Sequence, residues 1–86
     1  MINIKKILVS IYVLSLDKTY DVKIPINLPV RDTISLIQTA IAEMSKGAYN
    51  SNYQAKLYEG INGNLINSNN IVKYSGIKNG ETLLLV

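Results

Sequence analysis

The apolar positions of this chain change their spacing partway along, and that change sets out its architecture. From Tyr20 to Leu28 every even position is apolar (Tyr20, Val22, Ile24, Ile26, Leu28), with Asp21, Lys23, Pro25 and Asn27 between them. Strict alternation of this kind marks a strand with one buried face. After Pro29 the apolar residues fall at Val30, Ile34, Ile37, Ile41 and Met44, at steps of four, three, four and three. These residues form one stripe of a helix. A strand that runs straight into an amphipathic helix buries both apolar faces by laying the helix back across the sheet.

The flanking segments extend this pattern. Residues 4–16 read as a first strand, with Ile7, Val9, Ile11 and Val13 on one face and Leu8, Ser10, Tyr12 and Leu14 on the other. The polar break Leu16-Asp17-Lys18-Thr19 turns it into the second strand as an antiparallel hairpin. Pro25 has no N–H to give a neighbour, which places the second strand at a sheet edge. Asp32 or Thr33 is the expected N-cap of a helix over about residues 32–46, and Lys46-Gly47 is its expected stop. Beyond it lie a polar loop at 47–53, a short strand at 54–59, a turn at 60–64 and a brief strand at 65–66. A helical turn at 71–74, an Asn79-Gly80 turn and a last strand at 81–86 complete the chain. The order is strand, strand, helix, strand, short strand, strand, in a single domain spanning residues 1–86.

Composition narrows the chemistry. The 86 residues are 48% hydrophobic and 17% charged, enough apolar content for one core and against intrinsic disorder. There is no cysteine and no histidine, which removes thiolate chemistry, the commonest general base and the commonest metal ligand. The acids Asp17, Asp21, Asp32, Glu43, Glu59 and Glu81 form no obvious pair, and Asp32 reads most simply as a helix cap. The glycines Gly60, Gly63, Gly76 and Gly80 match no phosphate-binding spacing. The expectation is no enzyme, no metal and no cofactor. The net charge of +3 invites nucleic acid, but the basic residues are scattered and neither phenylalanine nor tryptophan is present. No apolar run approaches the roughly 20 residues of a membrane span, so no membrane insertion is expected. The opening MINIKKILVSIYVLSL is interrupted by Ser10 and Ser15, which favours a strand over a secretion signal.

The element order resembles the ubiquitin-like β-grasp fold. Two segments, TYDVKIPINLPVRDTISLI at 19–37 and NNIVKYSGIKNGETLLLV at 69–86, resemble the YukD/EsaB family. These are small ubiquitin-like accessory proteins of the type VII secretion system of Gram-positive bacteria. The loop at 47–53, the turn at 60–70 and an extra residue around Ser75-Gly76 depart from the family pattern. The resemblance implies an α+β fold, a five-stranded mixed sheet with one main helix packed across one face, and parallel first and last strands. The expected core is Ile7, Val9, Ile11, Val22, Ile24, Ile34, Ile37, Ile41, Leu83 and Leu85. It also implies a cytoplasmic, non-catalytic interaction module, recruited to the inner side of the cell membrane by protein partners. Those partners would be cytoplasmic domains of the FtsK/SpoIIIE-type secretion ATPase or of the pseudokinase-like membrane component. The alternatives are a β-grasp carrier or modifier and a small basic nucleic-acid binder. Carriers of this fold use an exposed Gly-Gly tail, whereas this sequence stops at Leu83-Leu84-Leu85-Val86 within the last strand, so conjugation is not expected.

Parity assigns the surface. Tyr20 is expected in the core, and Tyr74 is expected to pin a loop through its hydroxyl, as a tyrosine does in ubiquitin-like folds. With odd positions of the first strand facing the helix, Leu8, Tyr12, Tyr58 and Leu84 should form one exposed apolar patch on the opposite face, bordered by Lys56. Contiguous apolar surface of this kind marks a contact site. Its expected occupant is a protein partner, with a second copy of the chain or packing under the N-terminal residues 1–6 as the alternatives.

Overall fold

A computed structural model describes residues 5–86. Alternating apolar residues form β1 (Lys6–Val13) and β2 (Lys18–Pro25), joined by a turn in which Asp17 takes the left-handed φ of 51°. The helix α1 spans Val30–Met44. After it come β3 (Leu57–Glu59), a single 3₁₀ turn at Val72–Tyr74 and β4 (Thr82–Leu85). The sheet order is β2-β1-β4-β3. β1 pairs with β2 antiparallel and with β4 in parallel, as expected of first and last strands, and β3 pairs with β4 antiparallel.

The sheet has four strands, not five. The expected brief strand at 65–66 is reduced to one bridge, Leu65 opposite Tyr58, with the Ile66 N–H donating to the Leu57 carbonyl at 2.9 Å. Pairing cannot continue because the next residues are drawn to the start of the helix. The Ser68 and Asn70 carbonyls accept from the N–H groups of Arg31 (3.0 Å) and Val30 (2.8 Å).

Those two bonds also correct the expected helix start. α1 begins at Val30, before Asp32 or Thr33, with Pro29 at the N-cap position and no side-chain cap. Loop carbonyls satisfy the orphan N–H groups that a serine or aspartate cap would otherwise take. Asp32 lies instead in the first turn, favourably placed against the positive end of the helix dipole. Thr33 is fully buried, its hydroxyl donating to the Pro29 carbonyl at 3.2 Å.

The first strand ends at Val13 rather than at 16, and Ile4, which was expected to open it, lies outside the described residues. The second strand covers 18–25 rather than 20–28, because the chain leaves β1 after Pro25 to meet the 3₁₀ segment. The N–H groups of Lys73 and Val72 donate to the carbonyls of Ile26 and Leu28, both at 3.0 Å. The Ile26 N–H donates to the Lys5 carbonyl at 3.1 Å, which sets the ladder so that even residues of β2 bond to β1. Pro25 therefore faces the free edge, where its missing N–H leaves nothing unpaired.

Nine of the ten expected core residues are buried, and Ile7 is half-buried at the margin. The core also takes Val13, Val30, Tyr49, Ala55, Leu57, Ile66, Val72 and Ile77. Met44, the last residue of the helix stripe, is 45% exposed.

The helix closes in a Schellman geometry: the Gly47 N–H donates to the Ala42 carbonyl (2.9 Å) and the Lys46 N–H to the Glu43 carbonyl (3.1 Å). Lys46 lies beyond the last turn rather than within it and itself holds φ at 54°, a conformation that disfavours any residue with a Cβ. Lys46→Gly should therefore stabilise the fold by about 0.5–1 kcal/mol, read as a higher urea midpoint at constant slope. Gly60→Ala should do the opposite, because an added Cβ would stand 2.6 Å from the Thr82 carbonyl oxygen. A loss of about 1–3 kcal/mol is expected in the same measurement.

Candidate functional site

One face of the sheet is spent on the helix. Val9, Ile11, Val13, Val22, Ile24, Leu57, Leu83 and Leu85 all point to that side and are buried. The opposite face, built from the intervening residues, carries no such cover from α1. On it, Tyr12 stands opposite Leu84 in the parallel pairing, Leu84 opposite Tyr58 in the antiparallel one, and Tyr58 opposite Leu65 in the bridge. The result is a row of four apolar or aromatic side chains running across the sheet. Tyr12, Tyr58 and Leu84 are half-buried, each shading its neighbours, and Leu65 at the end of the row is 57% exposed.

A second row lies beside the first. Lys56 and Val86 exchange both backbone hydrogen bonds (2.9 and 3.0 Å), and the Leu14 N–H donates to the Leu85 carbonyl at 3.2 Å. This sets Leu14, Val86 and Lys56 in line, with Leu14 52% and Val86 41% exposed. Lys56 therefore borders the apolar surface as expected. Leu14, Leu65 and Val86 were missed as site residues. The outward parity of Leu14 and Val86 could have indicated them, whereas Leu65 depends on a bridge visible only in the fold.

Leu8 does not join this surface. Between it and Tyr12 stands Ser10, whose hydroxyl donates to an Asp21 carboxylate oxygen at 2.8 Å and whose β4 partner is Thr82. This polar band, Asp21-Ser10-Thr82, divides the expected single patch. Leu8 is 42% exposed on the far side, opposite Lys23.

Tyr12 is further oriented by its hydroxyl, which donates to an Asp17 carboxylate oxygen across the β1–β2 turn. That hydrogen bond, with lesser contributions from burial and from the nearby negative charge, raises the pKa of the phenol. Tyr12 therefore presents its ring to the row while its polar end is already occupied.

No family model matches this chain, nor does any curated protein. Among solved structures, the ubiquitin-like domain of the Mycobacterium tuberculosis type VII secretion system protein ECCD1 superposes with a TM-score of 0.72. It is 16% identical, over 95% of this chain and 98% of that one. The N-terminal ubiquitin-like domain of the 4931431F19Rik protein gives 0.67 at 19% identity, over 98% of this chain and 76% of that one. The fold is a ubiquitin-like β-grasp. The same frame occurs in a chain of a toluene 4-monooxygenase HD complex, with a TM-score of 0.73 at 11% identity over 95% of this chain and 98% of that one. At such identities the likeness is one of fold.

Elsewhere in this β-grasp, the segment 47–53, expected to be a polar loop, is anchored into the core. Tyr49 is only 3% exposed. Its hydroxyl accepts from the Gln38 side-chain amide (3.2 Å) and donates to the Tyr53 hydroxyl (3.0 Å). The same amide nitrogen of Gln38 also donates to the Tyr53 carbonyl at 3.0 Å, so a buried glutamine ties the loop to α1. The only sequence signal was a pair of tyrosines four apart in a run of small and polar residues. Tyr20, expected in the core, is half-buried and packs against the core from its margin. Tyr74 is not a loop pin: it is 73% exposed, with the Lys73 ammonium 5.1 Å above its ring. Between α1 and the segments 51–57 and 65–69 runs an open groove of about 1130 Å³ of mixed lining, with Asn52, Gln54, Asn67 and Asn69 beside Ile34, Leu57 and Leu65. Among the described residues no three carboxylates gather as metal ligands, and no helix is long and apolar enough to cross a membrane.

Tyr49 generates a pH prediction. Burial, and then the bond to Tyr53, push its hydroxyl up to about 12. The folded chain thus prefers the neutral phenol. Stability from this site is complete below the unfolded value near 10 and is lost as pH rises from about 10 towards 12. Urea midpoints across that range should show a loss on the order of 1–2 kcal/mol that is absent from Tyr49→Phe. At neutral pH the variant should be weaker by about 1 kcal/mol for its missing hydrogen bonds. Parallel alkaline slopes for the two proteins would contradict the assignment.

Proposed function

We propose that this chain is a non-catalytic interaction module that serves a type VII secretion machine through the open face of its sheet. The carrying observation is the row Tyr12-Leu84-Tyr58-Leu65, extended by Leu14 and Val86, on the face that α1 leaves uncovered. A contiguous apolar surface rimmed by polar residues is suited to protein contact, and tyrosines concentrate binding energy when buried at an interface. Lys56 at the border and the Asp21-Ser10-Thr82 band supply the polar rim.

Two further points support the secretion context. The segments at 19–37 and 69–86 resemble the YukD/EsaB accessory proteins, and the fold is shared with a ubiquitin-like domain of a type VII secretion protein. The proposed partners are cytoplasmic domains of the secretion ATPase or of the pseudokinase-like membrane component. The module works in the cytoplasm, held at the inner side of the membrane by them. It transfers no group: no histidine or cysteine is present to build a nucleophile with its base.

The test is binding of purified partner domains to Leu65→Asp/Val86→Asp, with folding checked by circular dichroism and urea midpoint. Both residues are exposed and outside the core, so the variant should stay folded while its affinity falls about tenfold or more. Leu8→Asp, beyond the polar band, should bind about as the parent chain does. Undiminished capture by the double variant would move the interface elsewhere. Loss of self-association by the double variant, with partner capture intact, would assign the face to a second copy of the chain.

A further inference from the structure

Two Asn-Gly pairs occur in the chain, Asn62-Gly63 and Asn79-Gly80, and both asparagines are exposed. An asparagine followed by glycine can cyclise, because no side chain on the glycine obstructs attack by its backbone nitrogen on the asparagine amide carbon. Each reaction needs a free side chain and a backbone able to rotate towards it. The two pairs differ in both respects.

At Asn79 the attacked and attacking groups are held by the same residue of β1. The side-chain Oδ1 accepts from the Leu8 N–H at 2.9 Å, and the Gly80 N–H donates to the Leu8 carbonyl at 2.6 Å. The turn is closed again by the Lys78 N–H donating to a Glu81 carboxylate oxygen at 3.0 Å and the Glu81 N–H to the Lys78 carbonyl at 3.1 Å. At Asn62, by contrast, the side chain makes no hydrogen bond among the described residues. The Gly63 N–H has one bond, 2.9 Å to the Glu59 carbonyl within the same short turn. Gly63 sits at a φ of +70° with open space where a Cβ would stand. The neighbouring Ile61 is 87% exposed, so the turn is held by backbone bonds, one of them from the Gly60 N–H to the Thr82 carbonyl at 3.0 Å, and not by side-chain packing at its tip.

We infer that Asn62 is a site of spontaneous covalent modification, its amide converting to a carboxylate through a cyclic imide, and that the fold holds Asn79 against the same reaction. The Gly63 backbone nitrogen gives up its proton and bonds to Asn62 Cγ. The Cγ–Nδ2 bond breaks, and ammonia leaves carrying that proton. Water then opens the imide at either carbonyl, giving aspartate or isoaspartate. Water is the only co-reactant, and nothing is oxidised or reduced. The product lowers the net charge of +3 by one and places a carboxylate beside Ile61. Where isoaspartate forms, it also lengthens the backbone inside the turn that the Glu59 N–H to Asn64 carbonyl bond (2.9 Å) closes just before Leu65.

The experiment incubates the full chain at mildly alkaline pH, folded in one arm and in concentrated urea in the other, and follows amide-to-acid conversion by tryptic mapping. Residues 57–73 and 79–86 fall in separate peptides, and fragmentation places the change within each. In the folded arm Asn62 should convert about tenfold faster than Asn79 or more, because two hydrogen bonds to Leu8 must open before Asn79 can react. In urea the two rates should converge to within about twofold, since the protecting contacts are gone. Asn79 keeping pace with Asn62 in the folded chain would overturn the inference. So would an Asn62 that converts only in urea, or conversion in neither arm.

Discussion

The parallel pairing of β1 with β4 is the constraint on which the rest of this structure depends. Parallel neighbours cannot be joined by a tight turn, so everything between the first hairpin and the last strand has to serve as a crossover. Ser10–Val13 lie in register with Thr82–Leu85 at the centre of the sheet, and the inward members of both strands are sealed from water. With the first and last strands fixed side by side, α1 has one place to go, over the face that Ile11, Val13, Leu83 and Leu85 present. Helical propensity alone would not hold a helix of 15 residues in water, so the packing of its apolar stripe on that face supplies its stability.

The crossover is tied down by backbone groups more than by side chains. The helix start, with Pro29 where a capping residue would stand, takes its hydrogen bonds from the carbonyls of Ser68 and Asn70. The same stretch that could have extended the sheet beyond Leu65 is thereby committed to the helix. One use of residues 67–70 excludes the other, and the four-stranded sheet and the missing side-chain cap are two results of one arrangement. Gln38 does similar work at the other end of the crossover, holding Tyr49 and Tyr53 from the middle of α1.

Because one helix covers one face, the other face is left to be used. Its central row is apolar across three strands and the bridge to Leu65, while Ser10, Asp21 and Thr82 interrupt it towards Leu8. The free edge at β2 is guarded differently. There the outward positions are Thr19, Asp21, Lys23 and Pro25, and charge and proline at a sheet edge oppose the addition of another strand. The proposed contact surface is thus a side-chain surface on the sheet, not its exposed backbone.

Much of this was legible before any fold was known, wherever a local rule acts on adjacent residues. Alternation from Tyr20 to Ile24 determined which side chains of β2 go inward, and the steps from Val30 to Ile41 determined the buried stripe of α1, because these periods follow from strand and helix geometry alone. Parity likewise identified Tyr12, Tyr58 and Leu84 as outward-facing. What the sequence could not settle were the features that join residues far apart in the chain. That Asn70 rather than Asp32 serves the helix start, and that Tyr49 is core while Tyr74 is not, depend on which groups meet across the crossover. A strand carries its own face pattern with it, but its neighbours, and the partners of its loops, exist only once the chain has closed on itself.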